Sequence, residues 1–220
     1  MRLLALLLVA IAARLPAQDT TTALVDRAAH QYRAARSVRA TFDQLLTSPG
    51  TAGTHTSRGE YFQGGTKFAL RFTDPNGDAI VSDGADLWLY LPSTAKGQVM
   101  KMPSQAGAGL DVLSELLSAP RNNYMAVHLR DEAVDAHATA VFALSPKRSD
   151  LPFTHATLWI GKSDGLIWQL ETVEQSGLIR RVHFASVRTD VDLPSDAFVF
   201  TVPAGVKILD QAALFGVKKP

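Results

Sequence analysis

GEYFQGGTKFALRFTDPNGDAIVSDGADLWLYLP, residues 59–92, reads as consecutive short strands joined by tight polar turns. Phe68, Leu70 and Phe72 alternate with Lys67, Ala69 and Arg71, the period-two pattern of a half-buried strand. Asp74-Pro75-Asn76-Gly77 and Ser82-Asp83-Gly84 carry turn chemistry, with glycine able to supply a positive φ. Trp88 and Tyr90 then repeat the alternation on the next strand. An antiparallel meander with one apolar face has to cover that face, and what covers it decides the function.

On the N-terminal side, Thr20-Thr21-Thr22 offers an N-cap to a helix whose Leu24, Val25, Ala28, Ala29, Tyr32 and Ala35 fall on one face. Residues 38–45 switch to period two, and 48–56, rich in Gly, Thr and Ser, form a turn. On the C-terminal side a strand at 98–102 leads into PSQAGAG, residues 103–109, the clearest linker in the chain. Next comes a short helix with Leu110, Leu113, Leu116 and Leu117 on one face, ended by Pro120. Residues 124–130, 138–144, 154–160, 166–172 and 179–187 are again strands, and Phe198, Phe200 and Val202 alternate in the tail. Roughly ten strands with two or three short helices cannot make a parallel sheet covered on both faces. The predicted fold is mainly β (α+β): an open, strongly curved antiparallel sheet or incomplete barrel with short helices over its concave face.

The chain begins MRLLALLLVAIAARLPAQ, a basic start, a short apolar run and small residues near Ala17. This reads as a secretory leader over residues 1–17, too short for a membrane span, followed by a single domain over 18–220. Loss of Arg2 and Arg14 with the leader turns the formal net charge from +1 to −1. Such a balance gives no electrostatic footprint for nucleic acid. Cysteine is absent, which excludes disulfides, thiolate catalysis and the acylated cysteine of a lipid-anchored protein. A soluble exported monomer is the expectation.

Catalytic patterns are weak. Gly161-Lys162-Ser163-Asp164-Gly165 matches GxSxG on paper, but the strand 166–172 follows where a nucleophile elbow needs a helix. His30, His55, His128, His137, His155 and His183 have no metal-ligand spacing, and no phosphate-binding glycine loop exists. No catalytic residue, metal or cofactor is predicted. The aromatics admit two readings, a plain core or the wall of an apolar cavity under a removable cover.

Phe42-x-Gln44, Gly59-Glu60-Tyr61-Phe62, Ile80-Val81-Ser82-Asp83-Gly84-x-x-Leu87-Trp88-x-Tyr90-x-Pro92 and Phe198-x-Phe200-x-x-Pro203-x-Gly205-Val206 occur in this order. The series resembles the outer-membrane lipoprotein carrier family, the LolA proteins, over almost the whole chain after the leader. The resemblance implies a periplasmic carrier of acylated lipoproteins, loaded by an inner-membrane ABC-type release complex and emptied at an outer-membrane receptor. It also implies a lipid cavity, with Phe68, Leu70, Phe72, Ile80, Trp88 and Tyr90 on the wall and Leu113, Leu116 and Leu117 on the lid. A lipid- or lipoprotein-sensing regulatory module is the alternative, since fold does not fix function. One departure is visible: carriers of this family often latch the lid with an Arg-Pro pair before the apolar strand, where this chain has Gly64-Gly65-Thr66.

Overall fold

The computed structural model describes residues 18–50 and 53–211; the leader predicted over 1–17 lies outside the described residues. Among the described residues twelve strands form one open sheet, two more than the roughly ten expected. In chain order they are β1 (Val38–Thr47), β2 (Thr54–Gly64), β3 (Lys67–Asp74), β4 (Asn76–Ser82), β5 (Asp86–Tyr90), β6 (Gln98–Pro103), β7 (Tyr124–Val134), β8 (His137–Pro146), β9 (Phe153–Gly161), β10 (Ile167–Glu174), β11 (Ile179–Thr189) and β12 (Lys207–Asp210). Their spatial order is β12-β6-β5-β4-β3-β2-β1-β11-β10-β9-β8-β7, so β12 and β7 are free edges rather than partners. Every pairing is antiparallel except β12 with β6, a short parallel strand the sequence reading missed.

Helix α1 (Gln18–Ala34) starts before the three threonines, which were expected to precede it. Its Val25, Ala28, Ala29 and Tyr32 are buried on the predicted face. The Tyr32 hydroxyl accepts from the Ile167 amide at 3.1 Å, tying α1 to β10. The predicted linker is instead a 3-10 helix, Ser104–Leu110, which hands the chain to α2 (Val112–Leu117). After α2, Ala119 adopts a left-handed turn (φ 45°) and starts α3 (Pro120–Asn123). All these helices sit on one side of the sheet. Leu87 on β5 and Ile160 on β9 belong to the same apolar cluster as α1 and α2, so the sheet wraps around the helices.

The register resolves the two faces strand by strand. One row runs Ala40, Tyr61, Leu70, Ile80, Leu89, Met100 across β1 to β6 and looks onto the helices. The next row, Arg39, Phe62, Ala69, Val81, Trp88, Lys101, looks outward. The outward side is not bare. Residues 190–203 cross it, with Ala197, Phe198 and Phe200 packed on Phe62, Ala69, Ala79 and Val81. Their alternation is therefore a strap and not a strand. Arg71 fastens it, Nη2 donating to the carbonyls of Asp196, Ala197 and Val199 at 2.7, 3.1 and 2.8 Å.

Gly59 is required where it stands. It lies on β2 between Phe42 of β1 and Phe72 of β3, and a Cβ there would come within 2.2 Å of the Arg71 carbonyl oxygen. With no side chain between them, the two rings meet edge to face, centroids 5.5 Å apart.

Candidate functional site

Seven of the nine predicted cavity residues come together on the concave side. Phe68, Leu70, Phe72 and Ile80 from the sheet share one apolar cluster with Leu113, Leu116 and Leu117 of α2. Trp88 and Tyr90 do not join them. Both lie on the convex face against Phe200, centroids 5.5 and 5.6 Å away, and Lys101 Nζ sits 5.0 Å over the Trp88 ring. The register gives the reason: Ile80 pairs with Leu89 and Ser82 with Leu87, so the leucines of β5 face inward and its aromatics outward. Every residue of Leu87-Trp88-Leu89-Tyr90 is apolar, and alternation alone could not choose between the two faces. The sequence reading also missed Phe42, Leu158, Leu170 and Phe184, which complete the wall from β1, β9, β10 and β11.

Between wall and lid is a cavity of about 40 Å³, lined by Phe42, Leu70, Leu110, Val112, Leu170 and Phe184 among others. Its polar members are Tyr61 and Asp111 on one side and Gln44 and Arg180 on the other. A second cavity, about 290 Å³, lies between α1, α2 and the β2–β3 turn and includes Tyr32, Gln63, Thr66 and Ser114. Asp111 and Leu113 line both, so the start of α2 is the partition between them.

Asp111 makes that partition polar. It is buried, 8% exposed, and caps α2 by accepting from the Ser114 amide at 3.2 Å. Its Oδ1 also accepts from the Tyr61 hydroxyl at 2.9 Å, a bond between lid and sheet. Burial raises the Asp111 carboxyl above the usual carboxylate range, against the opposing effect of the Ser114 and Tyr61 hydrogen bonds. Burial, then the Asp111 charge, pushes the Tyr61 phenol well above its ordinary value. At its other end the lid is held by surface contacts: Arg121 Nε donates to Asp26 of α1 at 2.5 Å and Lys147 Nζ to the Arg121 carbonyl at 2.7 Å.

The sequence profile of the family described as outer membrane lipoprotein carrier protein LolA matches residues 33–201. The chain belongs to this family. The outer-membrane lipoprotein carrier protein of Methylibium petroleiphilum is 30% identical over 175 residues, spanning 79% of this chain and 82% of the relative. That of Chromobacterium violaceum is 28% identical over 200 residues, spanning 91% and 93%. Among solved structures, an uncharacterized conserved protein from Thermus thermophilus superposes with a TM-score of 0.56 at 11% identity, covering 87% of this chain and 99% of that one, a likeness of fold alone.

In this LolA-family chain the β2–β3 turn at Gly65 (φ 60°) carries no latching arginine. Arg71, a nearby cation, points to the strap on the other face. Among the described residues two bonds run from sheet to lid: the buried one from Tyr61 to Asp111, and one from the Tyr124 hydroxyl of β7 to the Glu115 carbonyl at 3.2 Å. Gly161–Gly165 is a β9–β10 hairpin, as expected: the Gly165 amide donates to the Gly161 carbonyl at 2.9 Å and Asp164 binds the Leu166 amide. Ser163 thus has no elbow to expose it. Among the described residues no cluster of His, Asp or Glu is arranged to hold a metal, and no helix is long and apolar enough to cross a membrane.

Proposed function

We propose that the protein is a carrier that takes acyl chains of lipoproteins into the hollow under α2 and ferries them through the periplasm from the inner to the outer membrane. The observation that carries this reading is the build of the lid. Leu113, Leu116 and Leu117 bury as a core layer would, yet the helix start is pinned by a carboxylate whose burial disfavours its charged form. The cap would serve any helix, but the same carboxylate also takes the Tyr61 hydroxyl from the sheet, and this gives a liftable cover a bond able to open and reclose in one geometry.

The volumes support the same reading. A cavity of about 40 Å³ is far smaller than the roughly 300–1,000 Å³ of small-molecule sites, so a chain enters only when the lid moves. Displacing the start of α2 joins the two cavities that Asp111 and Leu113 separate. Burying several hundred Å² of acyl surface at about 25 cal/mol per Å² leaves useful, reversible binding once ordering is subtracted. In this reading an inner-membrane ABC-type complex supplies the cargo and an outer-membrane receptor takes it; the relatives' name, outer-membrane lipoprotein carrier protein, supports the carrier role.

Mass spectrometry of the natively purified protein tests this directly. Retained acylated lipoprotein, and mis-sorting of such lipoproteins after deletion of the gene, are the expected results. Finding neither would sink the proposal.

A further inference from the structure

The second polar group of the hollow is a guanidinium, and the bonds from sheet to lid do not involve it. Arg180 lies opposite Leu46 on β1, six residues beyond the level of Ala40 and Tyr61, or about 20 Å along the strand. Tyr61 and Arg180 therefore mark two ends of the hollow. The Arg180 side chain is only 20% exposed. Its Nη1 donates to Gln44 Oε1 at 3.2 Å and its Nη2 to Glu174 Oε1 at 3.3 Å. Gln44 is itself held by donating to Ser57 Oγ at 3.0 Å.

Two of the five guanidinium N–H donors are thus occupied, and the others meet no acceptor among the described residues, although the group lines the cavity beside Leu170, Val182 and Phe184. Glu174 already balances the charge, so the spare donors suit a neutral oxygen better than an anion. An acyl chain, by its chemistry, ends in such an oxygen: the carbonyl of an ester or amide. A chain lying among Leu70, Leu170, Val182 and Phe184 brings that carbonyl to the Arg180 end.

Resting on the carrier reading above, we infer that Arg180 hydrogen-bonds the ester or amide carbonyl of the bound acyl group and so distinguishes acyl ligands from plain hydrocarbon. Gln44 and Glu174 are positioning residues that hold the guanidinium in place.

The test compares dioleoylglycerol with its dialkyl ether analogue, which has the same chains and no carbonyl, by displacement of a fluorescent apolar probe. The natural protein should bind the ester about 10-fold more tightly, the scale of one hydrogen bond to a charged donor. Arg180→Met combined with Glu174→Gln, which keeps the site neutral, should abolish that preference by weakening ester binding more than ether binding. Arg180→Lys should retain part of it. Equal affinity of the natural protein for ester and ether overturns the inference, as does a preference that survives in the double variant. Equal loss of both ligands in a folded double variant overturns it too, since that is a packing effect. Tighter binding of free oleate than of the ester, lost in the variant, reassigns the site to anions. Binding of neither lipid by the natural protein would remove the hollow reading itself.

Discussion

Tyr61→Phe deletes one oxygen and leaves the ring, so it isolates the buried bond between sheet and lid. In the closed lid that hydroxyl donates to a buried carboxylate at 2.9 Å, and only the Ser114 amide and hydroxyl remain to Asp111 once it is gone. A hydrogen bond to a charged group contributes about 1.5–3 kcal/mol, which raises the open-to-closed ratio of α2 by about 10- to 100-fold. Amide exchange reads this locally. The Glu115 and Ser118 amides, which donate to the Asp111 and Glu115 carbonyls, should lose protection by that factor, while amides of β4 keep theirs. The sign of the pH dependence follows from Asp111. Its carboxyl is raised in the closed form, so closing the lid takes up protons. That stabilisation is complete below the ordinary carboxylate value of about 3.9 and is lost as pH rises through the raised value. Asp111→Asn keeps an acceptor for Tyr61 and Ser114 with no charge to bury, and should give a tighter, pH-independent lid. Unchanged exchange in Tyr61→Phe, or a looser lid in Asp111→Asn, would refute the latch.

The two faces of the meander separate in a second experiment. Leu70→Asp places a charge in the hollow and should abolish binding of an apolar probe, whereas Trp88→Ala, on the convex face, should lower stability by about 1–3 kcal/mol and leave probe affinity intact. Arg71→Met frees the three strap carbonyls and should destabilise by about 2 kcal/mol, read as a fall in Tm of roughly 4–8 °C, again without changing affinity. Ala119→Gly removes a Cβ from a left-handed turn between α2 and α3 and should stabilise the fold by up to about 1 kcal/mol in denaturant unfolding; a destabilised variant would mean that the Ala119 methyl packs usefully.

The meander was legible where a strand sets large apolar residues against small or charged ones, as β3 does. Phe68, Leu70 and Phe72 stand against Lys67, Ala69 and Arg71, and the register agrees with that contrast. On β5 the contrast vanishes, and the inward face went to Trp88 and Tyr90 because large aromatics are usual core residues. Leucine took the inner positions there because the convex face has its own cover. Leu193, Phe198 and Phe200 reach it from more than a hundred residues away, and no local pattern announces such a contact. Likewise PSQAGAG has linker composition, yet its backbone closes a 3-10 helix tied to the sheet by Ser104, whose amide donates to the Ala85 carbonyl at 3.0 Å and whose hydroxyl meets that of Ser82 at 2.9 Å.

Sequence by itself determined the alternating apolar faces, the turns between strands, the leucine stripe of α2 and the family, because each is written in neighbouring residues or in an ordered set of motifs. Tertiary structure alone decided what meets across the hollow. Tyr61 and Asp111 are fifty residues apart in the chain, and Gln44 and Arg180 are separated by 136. Lone polar residues such as these carry no periodic signal. The curvature of the sheet brings each pair together and leaves the Tyr61–Asp111 bond under the lid and the Arg180 guanidinium at the far end of the wall.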